Sequence, residues 1–178
     1  MKLEISHIPE FELDPAAAAE MQGLLALCFP GFLDRRIYYK QRPHSRLVGR
    51  LNGDLVAQVG LDFRTIRIGS EVVNIVGIID LCVAPGHRSC RYAEALLDRA
   101  EAIGRERGLD LAVLLADDHR LYSMCGFELV QRECVFLGIH EHQSIGLIRR
   151  ELNDCLMVKA LGNGSVPDGE VDFLGYLF

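Results

Sequence analysis

Long apolar runs are missing from this sequence, and none approaches the roughly 20 residues that a membrane-spanning helix requires. The first residues, MKLEISHIPEFELD, carry acidic residues early and lack the apolar core of a signal peptide. Positive charge is also scarce, because 25 Asp and Glu outnumber 19 Lys and Arg and the net charge is −6. We therefore expect a cytoplasmic protein whose partners include neither a membrane nor a nucleic acid.

Motifs for disulfides and metals are missing too. The six cysteines are scattered without a C-x-x-C pair, and most lie in apolar runs such as IDLCV and ALCF. This arrangement indicates reduced, buried thiols rather than a disulfide framework. His140 and His142 would share one face of a strand, but no third ligand is evident in the sequence, so we expect a solvated loop there and no metal.

The rest of the composition is that of an ordinary globular protein, with 49% hydrophobic and 25% charged residues. The sequence shows no repeat, no low-complexity tract and no obvious linker before Gly162. A chain of 178 residues is long enough to bury a sizeable core. We expect one domain over residues 1–178.

The succession of elements predicts an α+β fold. Asp14 and Pro15 favour a helix start, and Asn52-Gly53 favours a tight hairpin because both turn positions need positive φ. Three antiparallel strands followed by a strand–helix–strand unit indicate a mixed, mostly antiparallel sheet flanked by helices. The predicted strands are 2–8, 45–51, 55–68, 72–83, 109–116, 127–139 and 155–161; the predicted helices are 15–29, 33–41, 92–107 and 118–125, with a charged helix end at 149–151.

Residues 76–108 are the most informative about chemistry. A strand ends at Pro85, and a short basic loop leads directly into a helix whose apolar residues recur at helical spacing. The first backbone N–H groups of such a helix lack internal partners and lie at the positive end of its dipole. This arrangement suits an anion such as a pyrophosphate. The alternative is a plain strand-to-helix turn.

The same residues resemble the GNAT superfamily of N-acetyltransferases. The order of strand, V-x-P, basic loop, helix with A-L-L, apolar strand and Y-x-x-x-G-F is similar to that family over residues 45–135. Arg91 stands where the family has a glycine that lets the backbone approach phosphate, so its side chain would either shield the loop or clamp a phosphate. Against the family's acyl-CoA loop Q/R-x-x-G-x-G/A, this chain has Arg88-Ser89-Cys90-Arg91-Tyr92-Ala93.

The resemblance implies a GNAT-like acyltransferase that uses acetyl-CoA, or another acyl-CoA, to acylate a small-molecule amine. It implies that backbone groups of Leu81, Cys82 and Val83 pair with the pantetheine arm like an added strand. Tyr122 precedes Gly126-Phe127 and would act as the general acid, because a phenol can donate to the departing thiolate. The alternative is a tyrosine that packs the short helix onto the sheet.

The group that removes a proton from the amine is harder to identify. Asp80 is the one acid within the apolar strand IVGIIDLCV, where desolvation would raise its pKa. It could equally cap a backbone group or pair with an arginine. Asp117 and Asp118 follow the next strand, and for Asp118 we favour a helix cap.

A second and narrower resemblance is to the nodulation-factor N-acyltransferases. Arg42-Pro43 with Arg46 matches their R-P-x-x-R, and Val56-Ala57 with Gly60 matches their V-A-x-x-G. Those enzymes transfer a fatty acyl chain from an acyl carrier protein to an amino sugar, so the resemblance implies a carrier-dependent alternative. A further alternative is a sensor domain that binds acyl-CoA without turnover.

The last segment, VDFLGYLF, is unusually apolar. Chain ends fray unless they are held, and an exposed apolar run would invite aggregation. We expect the segment to pack on the domain or across a homodimer interface. In some GNAT relatives the C-terminal carboxylate serves as the base, which by resemblance would assign that role to Phe178; the alternative is a segment that only completes the core.

Overall fold

A computed structural model of the chain describes residues 2–31 and 36–178. Those residues form ten strands and three α-helices. The helices are α1 (Pro15–Cys28), α2 (Tyr92–Glu106) and α3 (Arg120–Met124). The strands are β1 (Glu4–Pro9), β2 (Ser45–Leu51), β3 (Asp54–Ile68), β4 (Glu71–Val83), β5 (Leu111–Leu115), β6 (Glu128–Leu129), β7 (Glu133–His140), β8 (Gln143–Glu151), β9 (Leu156–Ala160) and β10 (Val171–Tyr176).

The chain forms two compact units, one made of residues 1–62 and 78–100 and the other of residues 63–77 and 101–178. The first contains the antiparallel series β1-β2-β3. Strand order in the second is β6-β9-β5-β4-β3-β10-β7-β8, in which β3 and β4 contribute the parts that belong to that unit. Strands β7 and β10 run parallel, whereas β3–β10, β5–β9, β6–β9 and β7–β8 are antiparallel. The predicted α+β class, with a mixed and mostly antiparallel sheet, is confirmed, and the single domain stays a prediction.

Local signals placed several boundaries correctly. The side chain of Asp14 accepts the N–H of Ala17 at 2.8 Å, which caps α1 as the sequence predicts. Asn52 and Gly53 both have positive φ, +51° and +93°, in the tight turn between β2 and β3. Gly108 follows the end of α2 and has a left-handed φ of +66°, as a glycine that terminates a helix commonly does.

The first unit packs α1 against β2 and the end of β4. Its small core consists of Met21, Leu24, Leu25, Val48 and Cys82. The helix contributes one apolar stripe, because its buried residues recur three and four positions apart. This packing positions the C-terminal end of α1 beside the last residues of β4.

The larger core of the second unit includes the C-terminal segment. Val171, Phe173 and Leu177 are buried, and β10 pairs with both β3 and β7. The ring of Phe178 meets that of Phe173 edge to face at 6.0 Å. A Cβ on Gly77 would lie 2.7 Å from the Phe178 ring, so only glycine leaves room there. The predicted packing of this segment on the protein is confirmed.

Three local expectations differ from the structure. The predicted strand 127–139 is divided into β6 and β7, which pair with different partners. The predicted helix end at 149–151 is part of β8, a strand so exposed on both faces that it has no alternating apolar signal. By contrast, residues 141–142 form an exposed tight turn with positive φ, which agrees with the solvated loop expected there. Of the predicted helix 33–41, residues 33–35 lie outside the described residues, and 36–41 are not helical.

Candidate active site

Strand β4 carries an irregularity at Asp80. Its φ of +49° lies in the left-handed region, which a non-glycine residue adopts inside a strand only where its neighbours fix it. The side-chain amide of Gln58 donates a hydrogen bond of 2.5 Å to the Asp80 carbonyl oxygen and so holds the main chain in this form. Leu81, Cys82 and Val83 then complete the strand.

A buried network holds Gln58 in place. Arg46 is almost wholly buried, and its Nη1 donates to Gln58 Oε1 at 3.1 Å. Its Nε and Nη2 donate to the two carboxylate oxygens of Glu10 at 2.7 and 3.2 Å, and Nη2 also donates to the Ile37 carbonyl oxygen at 2.6 Å. A buried charge is tolerated only when it is paired and hydrogen-bonded in this way. The network therefore fixes the irregularity at Asp80.

The carboxyl of Asp80 is itself perturbed. Burial raises its pKa, and the positive charges of Arg46 and Lys40 offset part of that effect. Burial likewise lowers the pKa of Lys40, against the opposing influence of Asp80. Desolvation and an arginine neighbour, which the sequence left as alternatives for Asp80, are thus both present. Such opposed shifts are common at functional sites.

Two cysteines lie beside the end of β4. Cys28, the last residue of α1, packs against Cys82, and its Sγ donates to the Val83 carbonyl oxygen at 3.5 Å. A hydrogen bond from Cys82 lowers the pKa of Cys28 to about 7; burial opposes this shift, and the charge of Arg88 assists it. This contact could not be predicted from the sequence, because the two cysteines are far apart along the chain. All six cysteines are thiols, as predicted, but the expected burial is complete only for Cys82 and Cys134, and Cys90 is exposed.

The loop after β4 has two residues with left-handed backbone. Residues 85–87 form a short 3-10 turn, in which the His87 N–H donates to the Ala84 carbonyl oxygen at 2.8 Å. Ser89 and Arg91 then have φ of +65° and +60°. Arg91 thus keeps the left-handed conformation that glycine adopts most easily. Since α2 begins at the next residue, the N–H groups of its first turn follow the loop directly.

The side chain of Arg91 is exposed to solvent. It is 85% exposed, and its Nε lies 3.6 Å from Glu94 Oε1, one turn further along α2. Cys90 is exposed, while Tyr92 and Ala93 are half-buried. The loop therefore presents backbone groups together with the exposed charges of Arg88 and Arg91, which is a chemistry suited to phosphate.

Tyr122 lies on α3, in the second unit. Its carbonyl oxygen accepts the N–H of Phe127 at 2.9 Å, and the two rings meet edge to face at 6.1 Å. Lys159 holds the end of this turn, because its Nζ donates to the Cys125 carbonyl oxygen at 2.5 Å and to Glu101 at 2.6 Å. Packing and hydrogen bonds thus set the backbone that carries the tyrosine.

Asp118 does not occupy the N-cap position that we expect from the sequence, because His119 is the N-cap of α3 and its side chain makes no capping hydrogen bond. The Oδ1 of Asp118 accepts the backbone N–H of Arg120 at 3.1 Å, and the two side chains form an ion pair. The Arg120 hydrogen bonds lower the pKa of Asp118 to about 2. The Asp118 carboxylate is therefore held by Arg120 at the start of α3, one residue before the N-cap.

The structure places the predicted residues in two groups. Asp80, residues 81–83 and the loop 88–93 follow one another in the first unit, whereas Tyr122 belongs to the second. Within residues 2–31 and 36–178 no cluster of three or more His, Cys, Asp or Glu side chains is arranged to hold a metal ion. Over the same residues no helix is long and apolar enough to cross a membrane.

A family model described as an acetyltransferase (GNAT) domain matches residues 13–130, about two-thirds of the chain. The match includes α1, the irregular strand β4, the loop 88–93 and Tyr122. A search of curated protein sequences returns no significant match. The family is therefore indicated by the domain as a whole rather than by one near relative.

Solved structures with the same fold include the Escherichia coli GNAT family N-acetyltransferase YhbS in complex with CoA, at TM-score 0.61 and 21% identity, covering 96% of this chain and 88% of that one. Escherichia coli ElaA superposes at TM-score 0.61 and 16% identity, covering 89% and 99%. An Anabaena variabilis GCN5-related N-acetyltransferase gives TM-score 0.62 and 22% identity, covering 74% of this chain. The chain spans 34% of that protein and 34% of an Enterococcus faecalis probable N-acyltransferase, about a third of each.

Proposed function

The chain belongs to the GNAT acetyltransferase family, and on that premise we propose that it transfers an acyl group from acyl-CoA, most simply acetyl-CoA, to an amine. One observation carries the proposal: the model of the family's domain matches residues 13–130. The loop within that range has left-handed φ at Ser89 and Arg91, which suits a close approach of phosphate to the backbone. YhbS, which shares the fold, was solved with CoA. A similar use of CoA by this chain is part of the proposal.

In this proposal the loop and the start of α2 bind the pyrophosphate of CoA through backbone N–H groups and the charge of Arg88. Backbone groups of Leu81, Cys82 and Val83 align the pantetheine arm, and their position is set by the irregularity at Asp80. The amine then attacks the thioester carbonyl directly. The protein contributes mainly orientation and stabilisation of the oxyanion.

Two proton transfers complete the proposed reaction. The departing thiolate takes a proton, and Tyr122 is the proposed donor because it follows β5 in the family's Y-x-x-x-G-F motif. The attacking amine must lose a proton to a general base. Asp80 is the base that the sequence predicts, and burial, which raises its pKa, supports that role. Its neighbours Lys40 and Arg46 equally support a purely electrostatic one.

Acetyl-CoA turnover with a panel of amines tests the proposal. The panel holds lysine, spermidine, glucosamine and phenethylamine, and free CoA thiol is the readout. We expect thiol release above the amine-free rate with at least one amine, and a rise in melting temperature with CoA. Binding without release for every amine would indicate a sensor. Neither binding nor release would favour the carrier-dependent enzyme of the nodulation type, which an acyl carrier protein would then be used to assay.

A further inference from the structure

Two thiols from separate elements of the first unit lie against each other. Cys28 is the last residue of α1, and Cys82 lies near the end of β4. Their side chains are hydrogen-bonded to each other, and Cys28 packs against the small core that contains Cys82. The Sγ–H of Cys28 also donates to the carbonyl oxygen of Val83 at 3.5 Å. The packing of α1 on β4 therefore keeps the two sulfurs together in the folded protein.

The surroundings of Cys28 favour its thiolate form. The Nε of Arg88 donates to the same Val83 carbonyl oxygen at 3.5 Å, which brings a guanidinium close to the Cys28 sulfur. The hydrogen bond from Cys82 lowers the pKa of Cys28 to about 7; burial opposes this shift, and the charge of Arg88 assists it. At neutral pH a large fraction of Cys28 is thus the thiolate, which is the form that peroxides oxidise.

The two thiols differ in their access to solvent. Cys28 is half-buried, whereas Cys82 is only 6% exposed. A small oxidant in solution therefore has access to Cys28, while the core shields Cys82. A low-pKa, accessible thiol beside a second thiol is the usual arrangement of a redox-active pair of cysteines.

A second pair of cysteines, in the other unit, lacks these features. Cys155 packs against the core that contains Cys134. Burial raises the pKa of Cys134 to about 11, and the charge of Cys155 adds to this effect. Burial also raises the pKa of Cys155. Because neither of these thiols ionises readily at neutral pH, the second pair is an internal control for reactivity.

We propose that Cys28 and Cys82 form a reversible disulfide when a hydroperoxide oxidises Cys28. With hydrogen peroxide, the Cys28 thiolate attacks one oxygen, the S–O bond forms, and the O–O bond breaks to release hydroxide, which takes up a proton. Cys82 then loses its proton and attacks the Cys28 sulfur, so that the S–S bond forms and the S–O bond breaks with release of water. The two sulfurs lose two electrons, which the peroxide gains as it becomes two molecules of water.

Oxidation of Cys28 favours the second step. The pKa of Cys82 is raised by its hydrogen bond to Cys28, by burial and by the charge of Cys28. Once the Cys28 sulfur carries an OH group it is no longer an anion, so the part of the shift that comes from its charge is removed. Cys82 therefore releases its proton more easily after Cys28 has been oxidised than before.

The disulfide also alters the end of β4, where the proposed function places the pantetheine arm. It removes the S–H that donates to the Val83 carbonyl oxygen, and it draws the last residue of α1 toward β4, since bonded sulfurs are about 2 Å apart. This consequence rests on the proposed function. We expect the oxidised protein to bind CoA at least about fivefold more weakly than the reduced protein, which is a usual size for coupling between two sites.

Peptide mapping tests the disulfide directly. The reduced protein is treated with hydrogen peroxide at neutral pH, free thiols are blocked with N-ethylmaleimide, and the chain is digested with trypsin without reductant. Trypsin leaves Cys28 in residues 3–35 and Cys82 in residues 68–88, each without another cysteine. We expect these two peptides to be linked, and the link to disappear with dithiothreitol. It should form at least about tenfold faster than a link between Cys134 and Cys155.

Three variants separate the roles of the thiols. Cys28→Ser should give no linked peptide. Cys82→Ser should leave Cys28 as a sulfenic acid that dimedone traps, because the second thiol is missing. Cys155→Ser is the matched control in the other unit and should form the link at the wild-type rate. Melting temperatures of the reduced proteins verify folding, and the mapping of the wild type needs no substitution at all.

The outcomes are distinct. Absence of the link in wild type, at a peroxide dose that oxidises the exposed Cys90, overturns the proposal. A link between Cys134 and Cys155 that forms as fast or faster overturns it too. Calorimetry with CoA then compares the reduced and oxidised wild type, and equal affinities overturn the effect on CoA binding. If the reduced protein binds no CoA, the proposed function fails, whereas the result of the mapping stands.

Discussion

Asp80 has a left-handed backbone conformation, and burial raises the pKa of its carboxyl group. Its raised pKa means that the folded protein holds this proton more tightly than the unfolded chain does. The stability that this provides is fully present below aspartate's ordinary pKa of 3.8, and is lost as the pH rises through the raised value. Asp80 therefore makes the wild type progressively less stable with rising pH.

We expect Asp80→Asn to remove this loss, because asparagine has nearly the same shape and cannot ionise. Urea unfolding of both proteins at several pH values from about 4 to 8 measures the difference in their free energies of unfolding. The free energy of unfolding of the variant should increase relative to that of the wild type as the pH rises. Asp54→Asn, an exposed change at the first residue of β3, controls for net charge. A difference between Asp80→Asn and wild type that is independent of pH would contradict the assignment.

Tyr122 is held at its backbone by Phe127, so its hydroxyl can be removed without dismantling the turn. We expect Tyr122→Phe to lower kcat about 10²-fold or more and to leave CoA affinity close to that of the wild type. Steady-state kinetics together with calorimetry provide both numbers. A folded variant with unchanged turnover would leave Tyr122 with the packing role that is its alternative.

At the residue scale the sequence predicted what depends on near neighbours. It identified Asp80 as a desolvated acid because the residues on either side of it are apolar. It could not predict that Glu10 and Arg46 would pair, or that Asp62 would face His44, since such contacts join residues that only the folded sheet brings together. Buried polar pairs of this kind leave no periodic signal in the sequence.

The loop between β4 and α2 is the element that decides how CoA would be held. Arg91 occupies a left-handed conformation, which costs an ordinary residue roughly 1–2 kcal/mol relative to the right-handed form. Its side chain is exposed and faces Glu94. The sequence left open whether this side chain shields the loop or clamps a phosphate, and variants at this one position distinguish the two.

We expect Arg91→Gly to bind CoA more tightly than the wild type, because glycine adopts this φ freely and lets phosphate approach the backbone. Arg91→Ala is the matched control, since it removes the charge but keeps Cβ and the strained backbone. Calorimetric titration with CoA gives the affinities. If both variants bind CoA more weakly than the wild type, the arginine acts as a phosphate clamp.

Elements were predictable where a cap, turn residue or helical period marked them. Three such boundaries were predicted correctly, at Asp14, Asn52-Gly53 and Gly108. Strands β7 and β8 were harder, because β8 is exposed on both faces and lacks the alternation of a half-buried strand. The existence of β8 depends on pairing with β7, from Glu133 opposite Glu151 to His140 opposite Gln143.

At the scale of the whole molecule, the most unexpected feature is the position of the C-terminal strand. β10 is not an edge strand but lies between β3 and β7. It runs antiparallel to β3 and parallel to β7. The apolar composition of the segment predicted that it would be buried. Its strand partners could not be predicted, because pairing between distant segments depends on the assembled sheet.

We expect Phe173→Ala to lower the free energy of unfolding by about 3–5 kcal/mol, because the ring is 1% exposed in the core of the second unit and leaves a cavity. Leu174→Ala, at the next position and 59% exposed, should change stability by less than about 0.5 kcal/mol. Chemical denaturation measures both. Equal effects of the two substitutions would mean that β10 does not carry the core as described.

The central claim is that this GNAT chain is an acyl-CoA-dependent N-acyltransferase, and the release of free CoA from acetyl-CoA tests it most directly. The wild-type protein is incubated with acetyl-CoA and each amine of the panel, and the thiol is followed continuously. The account predicts amine-dependent release by the wild type, with the acetylated amine as the second product. Absence of release with every amine, together with no thermal shift at millimolar CoA, would contradict it.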